Sequence, residues 1–234
     1  MELTPSLLYQ VLFERYGKQN WWPMDTDYHK KNNSDPRFEI IIGAILTQNT
    51  AWSNVEKALE NLKEQKILDI KKISHIEITR LQQLIRPSGF FNQKADRIQN
   101  IASYLHDNYQ NNLDIFFNRE AQTIRKELLS LKGIGPETAD SILLYAGNMP
   151  IFVVDAYTKR LCKRIALNTK TNYDDIQNYF EEDLKNNYSK EEIVQIYNEL
   201  HALIVEIAKN YCKTKPKCTQ CILQKQCNYS KKLL

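Results

Sequence analysis

The chain has 234 residues, enough for one large domain or two closely packed ones with proper cores. Its 32 basic and 28 acidic residues give a net charge of +4, which excludes a basic field over the whole surface. Any nucleic-acid contact must therefore depend on local placement of charge. Glycine and proline are scarce, which favours a mostly helical protein.

The first ten residues lack the basic stretch and the long apolar run that form a secretory signal peptide. No later window approaches the roughly 18 apolar residues that span a bilayer. We therefore expect a soluble, cytoplasmic protein that does not contact a membrane.

The N-terminal part predicts a helix, a polar connection and a second, more buried helix. Residues 5–16 follow a helical pattern, with Thr4 placed to cap the start and Gly17 to stop it. Residues 24–37 are rich in Asp, Asn and Lys, so we expect a mobile loop or an insertion there. Residues 40–46 are apolar almost all round, as in a helix in the middle of a bundle.

Four polar residues, Thr47-Gln48-Asn49-Thr50, follow this apolar run, and an amphipathic helix starts near Ser53. Buried polar side chains between two helices require hydrogen-bond partners. Two interpretations stay open. The four residues form either a structural turn with partners inside the protein, or a loop that contacts a bound base or backbone.

Shorter helices follow, and no internal repeat is visible. Residues 67–76 and 77–89 form two of them, the second ended by a proline and a glycine. The next helix, from residue 90 to 109, opens with two aromatic residues and carries Lys94 and Arg97 near its start.

The most specific pattern begins with a glycine-rich turn between two helices. Residues 123–131 have apolar positions at helical spacing and lead into Gly133 and Gly135. Both glycines tolerate positive φ and let a ligand approach the backbone closely. Pro136 favours the first position of a new helix, whose exposed N–H groups form a phosphate site. A tight structural turn is the alternative interpretation.

An apolar run at residues 151–154 is followed by Asp155, which lies at the N-terminus of another predicted helix. The run could be read as a strand, although no strand is needed anywhere in the chain. An aspartate in this position is usually a helix N-cap, and a catalytic carboxylate is the other interpretation. Neither feature is decisive alone, but the turn and Asp155 in this order are much more specific.

Four cysteines near the C-terminus form a C-x5-C-x2-C-x5-C pattern within sixteen residues. In an intracellular protein this spacing indicates a metal site rather than disulfides. Four thiolates suit a [4Fe–4S] cluster or tetrahedral zinc, but a zinc ribbon would normally show two C-x2-C pairs. The ligand candidates are Cys212, Cys218, Cys221 and Cys227. We expect Cys162, which lies apart, to be a small buried apolar residue.

The order of helix, Gly-x-Gly hairpin, helix and aspartate resembles the endonuclease III superfamily of DNA glycosylases. The resemblance implies that Asp155 is catalytic and that the cysteines hold a [4Fe–4S] cluster, although the first cysteine spacing in the family is one residue longer. It also implies DNA contacts at the hairpin and near it. These contacts are Gly133, Ile134, Gly135, Thr138 and Gln48. Lys213, Lys215 and Lys217 form either a solvated charge cluster or further phosphate contacts.

The fold that this resemblance implies is all-α and two-lobed, of the helix-hairpin-helix DNA glycosylase type. We expect a six-helix core over residues 37–149, with the hairpin unit at residues 123–147. The second lobe would combine residues 1–36 with residues 150–234 and end in the cluster loop at residues 212–227.

Almost the whole chain is similar to one branch of the superfamily, the 3-methyladenine DNA glycosylases. The similar stretches are residues 21–23, 43–52, 86–97, 132–140 and 153–157. In that branch an aromatic pair encloses the flipped base, which implies pocket roles for Trp22 with Pro23, for Trp52 and for Lys209. The best-known members lack the cluster cysteines, so the chain stands between this branch and the wider family.

Bifunctional members of the superfamily carry a lysine two residues after the second hairpin glycine, and its amine attacks the sugar C1′. Glu137 occupies that position here, and a carboxylate cannot form an imine. We therefore expect a monofunctional glycosylase, monomeric and nucleoid-associated, without AP-lyase activity. It would flip a damaged base out of double-stranded DNA and hydrolyse its N-glycosidic bond, acting on 3-methyladenine or related alkylated purines.

Two alternatives stay open. One is an endonuclease III-like pyrimidine or mismatch glycosylase with AP-site activity. The other is a non-catalytic DNA-damage-binding module, against which the retained Asp155 argues.

Overall fold

The computed structural model describes residues 3–165, 167 and 171–233, and this part of the chain consists of helices and turns, with no β-strand. The expected all-α class is therefore confirmed. Residues 151–154 pair with no strand in these described ranges. The α-helices are α1 (Pro5–Tyr16), α2 (Thr26–Asn32), α3 (Pro36–Leu46), α4 (Trp52–Glu64), α5 (Ile70–His75), α6 (Ile78–Leu84), α7 (Phe91–Tyr109), α8 (Leu113–Phe117), α9 (Ala121–Ser130), α10 (Pro136–Ser141), α11 (Ala156–Ile165), α12 (Tyr173–Asn187), α13 (Ile193–Asn210) and α14 (Asn228–Leu233).

Contacts between Cα atoms divide the chain into two compact units. The terminal unit comprises Met1–Trp21 and Pro150–Leu234 and contains α1 and α11 to α14. The hairpin unit, Trp22–Met149, contains α2 to α10. Residues 22–36, which the family resemblance places in the second lobe, lie in the hairpin unit.

Residues 24–37 contain α2, so the expectation of a loop there is wrong. Asp25 caps α2 by accepting the Tyr28 N–H at 2.9 Å. Buried His29 lies 3.1 Å from Glu39 on α3, and Glu39 also accepts the Asp25 N–H at 2.9 Å. These polar contacts attach α2 to the hairpin unit. They could not be predicted, because a polar segment shows no apolar periodicity.

In the terminal unit, α1 begins and ends where its capping pattern predicts. The Thr4 side chain accepts the Leu7 N–H at 3.3 Å, and Gly17 ends the helix with φ +66°. α1 packs against α12 and α13, and α11 packs against α13 and α14. Phe152 and Phe180 are both fully buried and stack with 4.5 Å between their ring centroids.

In the hairpin unit, α3 is buried along its length. Every residue from Phe38 to Leu46 is buried, which confirms the prediction of a helix that is apolar all round. α3 packs against α4 and α7, and α7 also contacts α5, α6 and α8. Over the described residues, no helix combines the length and the apolarity that crossing a bilayer requires.

Candidate active site and nucleic-acid interface

The turn between α9 and α10 requires glycine at one of its two glycine positions. Gly133 has φ +86°, and a Cβ there would overlap the Arg97 side chain. Gly135 has φ −95° and ψ 177°, an ordinary extended conformation, and open space where a Cβ would lie. The expected positive φ therefore holds for Gly133 only. Buried Ile134 lies between the two glycines and anchors the turn.

An ion pair joins the two helices of the hairpin. Arg125 on α9 donates from Nε and Nη2 to the two carboxylate oxygens of Asp140 on α10, at 2.6 and 3.1 Å. Asp140 is fully buried, and bidentate pairing of this kind fixes geometry as well as adding energy. α10 begins at Pro136, as predicted, and continues into a π-helical turn at Ile142–Ala146.

Gln48 connects the polar segment after α3 to the hairpin. Its Nε2 donates to the Gly133 carbonyl at 3.1 Å and to the Thr138 hydroxyl at 2.9 Å, and its Oε1 accepts from Arg97. The Thr50 hydroxyl likewise donates to the backbone carbonyl of Gln48 at 3.2 Å. These bonds fit the interpretation of a structural turn, and through them Gln48 and Thr138 support the hairpin.

Lys94 is a buried cation whose role the sequence analysis missed. Its Nζ donates to the Leu46 carbonyl at 2.8 Å, the Thr50 hydroxyl at 2.7 Å and the Ser88 carbonyl at 2.8 Å. Burial, with the nearby Arg97 charge, lowers the pKa of Lys94 to about 8. One sequence signal could have found it, because Lys94 lies one helical turn before Ile98 on the buried face of α7.

Phe90 is a second residue that sequence reasoning missed. It directly precedes α7, and its side chain is 65% exposed. Its φ of +45° is rare for a bulky residue, and such backbone strain is concentrated at functional positions. An exposed aromatic ring on a strained turn is suited to contact with a ligand.

We expect Gly133→Ala to weaken binding to every DNA duplex and to lower the free energy of unfolding by at least about 1–2 kcal/mol. The reasons are the left-handed backbone and the overlap with Arg97. Gly135→Ala is the matched control for stability, because it fits without strain. Fluorescence anisotropy with damaged and intact duplexes measures binding, and urea unfolding measures stability. Parental binding and stability of Gly133→Ala would contradict this assignment.

Gly135→Leu tests whether a ligand approaches the hairpin backbone. Since no protein atom lies within 4 Å of a Cβ at Gly135, the variant should fold normally. It should nevertheless weaken binding to all duplexes alike, because phosphate contacts position DNA rather than specify a base. Normal affinity with altered base preference would instead place the hairpin in the base pocket.

The aromatic residues predicted to enclose a base lie close together in the hairpin unit. The Trp22 and Trp52 rings are 5.4 Å apart at 84°, in an edge-to-face arrangement. Trp22 also lies against Gly43, where a Cβ would meet its ring at 2.8 Å, so the glycine makes room for the indole. Perpendicular rings of this kind do not form a parallel sandwich.

Trp52 and Pro23 line an open cleft of about 480 Å³ within the hairpin unit. Its charged lining residues are mostly acidic: Asp25, Asp27, Glu39, Glu56 and Glu60, against Lys63. Lys63 lies 3.3 Å from Asp25 and 3.2 Å from Glu60. An indole beside an excess of carboxylates favours a planar, positively charged ligand.

Asp155 caps α11 in the terminal unit. Its Oδ1 accepts from the Thr158 N–H at 2.7 Å and from the Thr158 hydroxyl at 2.9 Å. Its Oδ2 lies 3.7 Å from Nε2 of His201, a buried residue of α13 that sequence reasoning missed. Burial opposes ionisation, but His201 and Thr158 outweigh it, so the pKa of Asp155 is lowered and the carboxylate is ionised at neutral pH.

The four cysteines of the C-terminal pattern line one small cavity beside α11. Arg164 approaches the first of them, donating to the Cys212 carbonyl at 3.2 Å and its Sγ at 3.3 Å, and Arg160 donates to the same carbonyl at 2.8 Å. Within the described residues, no group of three or more His, Cys, Asp or Glu is placed to hold a metal ion. Four cysteine side chains with two arginines beside them nevertheless fit an anionic metal–thiolate group.

The other residues singled out from the sequence are one cysteine and four lysines of the terminal unit. Cys162 is buried, as expected, and burial raises its thiol pKa to about 12. Lys209 is exposed in the last turn of α13. Lys213, Lys215 and Lys217 are exposed on the cysteine loop, which Arg164 fixes by donating to the Lys213 carbonyl at 2.6 Å.

The chain matches the family described as "HhH-GPD superfamily base excision DNA repair protein" over residues 42–186. A Methanocaldococcus jannaschii protein named "Putative DNA repair glycosylase MJ1434" is 43% identical over 222 residues, which cover 94% of each chain. Endonuclease III of Sulfolobus acidocaldarius is 31% identical over 196 residues, 82% of each chain. The crystal structure of H. pylori 3-methyladenine DNA glycosylase bound to 1,N6-ethenoadenine has a TM-score of 0.71 and 31% identity, covering 88% of this chain and 98% of that one.

Proposed function

Because the chain belongs to the HhH-GPD superfamily of base excision DNA repair proteins and is a DNA glycosylase, we propose that it excises alkylated purines such as 3-methyladenine. The observation that carries this proposal is the cleft where Trp52 lies among carboxylates. The 31% identity to a 3-methyladenine DNA glycosylase over most of both chains supports it.

Recognition of the base follows from the charge of the cleft. A base can be excised only after it leaves the stack, which costs a few kcal/mol and is offset by a pocket that stacks on it. An N3-alkylated adenine carries positive charge, so the indole face of Trp52 and the carboxylates both attract it. Trp22 and Pro23 complete the pocket of the hairpin unit in this proposal.

DNA binding rests on local contacts, in keeping with the small net charge. The backbone N–H groups of Gly133 and Gly135 bind phosphate, whereas that of Ile134 donates to the Leu131 carbonyl at 3.1 Å. Lys213, Lys215 and Lys217 add phosphate contacts from the cysteine loop. Exposed Phe90 inserts into the stack that the flipped base has left, as apolar wedges do in other proteins that distort duplex DNA. The enzyme acts as a monomer.

Asp155 is the catalytic carboxylate in this proposal. The glycosidic bond of an N3-alkylated adenine is already weak, so its cleavage needs little acid catalysis of the leaving group. An ionised, buried carboxylate stabilises the positive charge that develops at C1′ and orients or deprotonates the attacking water. Exposed Glu137 stands where bifunctional relatives carry their amine, so no imine forms and the abasic strand is not cleaved.

Identification of released bases by mass spectrometry tests this function. Purified protein is incubated with methylated DNA and with duplexes containing uracil, hypoxanthine, an oxidised pyrimidine or a mismatch. We expect release of 3-methyladenine, and no borohydride-trapped adduct on an abasic duplex. Pyrimidine release with a trapped adduct would favour an endonuclease III-like enzyme, which the identity to the Sulfolobus protein makes the second candidate. No release from any substrate would leave a non-catalytic damage-binding module.

Trp52→Ala should reduce discrimination for the alkylated base by about 1–3 kcal/mol, since one stacking face is lost. Trp52→Phe is the matched control, because it keeps an aromatic face on the same turn of α4. The measurement is the ratio of excision rates for a cationic and a neutral modified purine. An unchanged ratio in Trp52→Ala would remove Trp52 from the pocket.

We further propose that Cys212, Cys218, Cys221 and Cys227 hold a [4Fe–4S] cluster that ties the C-terminal turns together. The purified protein should be straw-brown, absorb broadly near ~400 nm and contain about four irons per chain. Cys218→Ser should lose iron and loosen the terminal unit and DNA binding, while the hairpin unit stays folded. Cys162→Ala, a change at the buried cysteine outside the set, should keep its iron. Stoichiometric zinc in colourless protein made with ample iron would contradict the cluster.

A further inference from the structure

His201 lies on the buried side of α13 and faces the Asp155 carboxylate. Nε2 of the imidazole is 3.7 Å from Oδ2, and each residue is only 8% exposed. A histidine on a buried helix face is usually a core residue with a satisfied hydrogen bond. The carboxylate oxygen of Asp155 that faces this ring points to a second role for His201.

The two oxygens of Asp155 have different environments. Oδ1 receives the N–H and the hydroxyl of Thr158, which are the ordinary partners of a helix-capping aspartate. Oδ2 faces His201 instead. The cap therefore fixes the side chain through one oxygen, and the imidazole acts on the other.

His201 is the neighbour that can add positive charge. The thiol of Cys162, further along α11, has a pKa raised to about 12 and stays neutral. The Tyr173 hydroxyl of α12 faces the chain one residue before Asp155, accepting the Val154 N–H at 3.5 Å, and it carries no charge at neutral pH. Burial alone would favour the protonated carboxyl, so a compensating cation decides whether Asp155 is ionised.

We propose that His201 is a positioning residue that keeps Asp155 ionised and directs Oδ2 toward the reacting sugar. The inference rests on the proposed role of Asp155 at C1′ and deepens it. In this proposal His201 compensates the charge of Asp155. Bifunctional relatives have a lysine amine in the site as well. Excision should therefore persist at acidic pH at which a buried carboxyl without this partner would be protonated.

The pH dependence of single-turnover release of 3-methyladenine from methylated duplex DNA tests the proposal, with spontaneous release subtracted. His201→Gln keeps a polar group of similar size but removes the imidazole. We expect the midpoint of the acid limb in its pH–rate profile to rise by about one pH unit or more. One unit below the parental midpoint, the variant should therefore be about tenfold slower than the parent. Rates on the neutral plateau should change much less. His75→Gln, at an exposed histidine of the hairpin unit, should keep the parental profile.

The carboxyl ¹³C titration of Asp155, followed by NMR on the full chain, gives a second measurement that needs no turnover. We expect a lower pKa in the parent than in His201→Gln, with thermal unfolding confirming that both are folded. Equal pKa values and coincident acid limbs would overturn the role of His201. A parent that releases no base while its Asp155 pKa still depends on His201 would refute the proposed function and leave the ion pair standing.

Discussion

Asp155→Asn is expected to abolish base release, by roughly two orders of magnitude or more, while damaged duplex is bound as tightly as by the parent or more tightly. Asparagine has nearly the same shape and can still accept from the Thr158 N–H and hydroxyl, so the α11 cap should persist. What is lost is the negative charge that stabilises C1′. Loss of that charge also removes repulsion between the site and the DNA phosphates.

Single-turnover excision and anisotropy binding measure the two halves of this prediction separately. Asp69→Asn is the matched control, because Asp69 caps α5 through the Lys72 N–H at 3.0 Å in the hairpin unit. The control should release base at the parental rate. An Asp155→Asn variant that does the same would overturn the assignment of Asp155, and a loss of folding in both variants would show that the caps matter more than the charge.

The elements predicted correctly from the sequence are those whose signals are local. The Thr4 cap, the Gly17 stop, the buried α3 and the start of α10 at Pro136 each depend on residues within one or two helical turns. Such short-range rules leave the same pattern in any fold. α2 was missed because its stability comes from a polar contact of His29 with another helix.

Prediction of the candidate site is limited in the same way, because contacts between distant residues leave no local signal. Asp155 and the cysteines could be predicted because resemblance to a family marks them by spacing. His201 could not, because its partner is distant in the chain and a single His carries no pattern. The burial of Lys94 follows from its helical position, but its contact with distant Leu46 could not be predicted. Gln48 was assigned to DNA, while its amide is bonded to the hairpin itself. A side chain that supports a binding loop and one that touches the ligand look alike in sequence.

Buried Lys94 provides the second large expected effect. Its three acceptors belong to the end of α3, to the Thr50 turn and to the turn before Phe90, so one ammonium group holds three segments together. Lys94→Met would fill the space but remove the ammonium donor, at about 1–3 kcal/mol for each buried oxygen left unpaired. The Ser88 carbonyl would still accept from the Thr50 hydroxyl. Because the variant no longer buries a charge, part of this cost is offset. We therefore expect the free energy of unfolding to fall by about 2–4 kcal/mol. DNA binding should weaken as Gln48 and Phe90 lose their support.

The pH dependence of stability reports the cost of burying the Lys94 charge, which a side chain that only packs would not show. Its pKa falls from the ordinary 10.5 to about 8 on folding, so between these values the unfolded chain binds the extra proton. Stability contributed by Lys94 should therefore rise with pH across that window, by at most about 3 kcal/mol. Urea unfolding of parent and Lys94→Met between pH 7 and 10 measures the difference, which should widen as pH rises; Lys57→Met, at an exposed lysine of α4, should track the parent throughout. A Lys94→Met protein that unfolds at the parental urea concentration, with a difference that is flat in pH, would show that the ammonium group does not hold these segments.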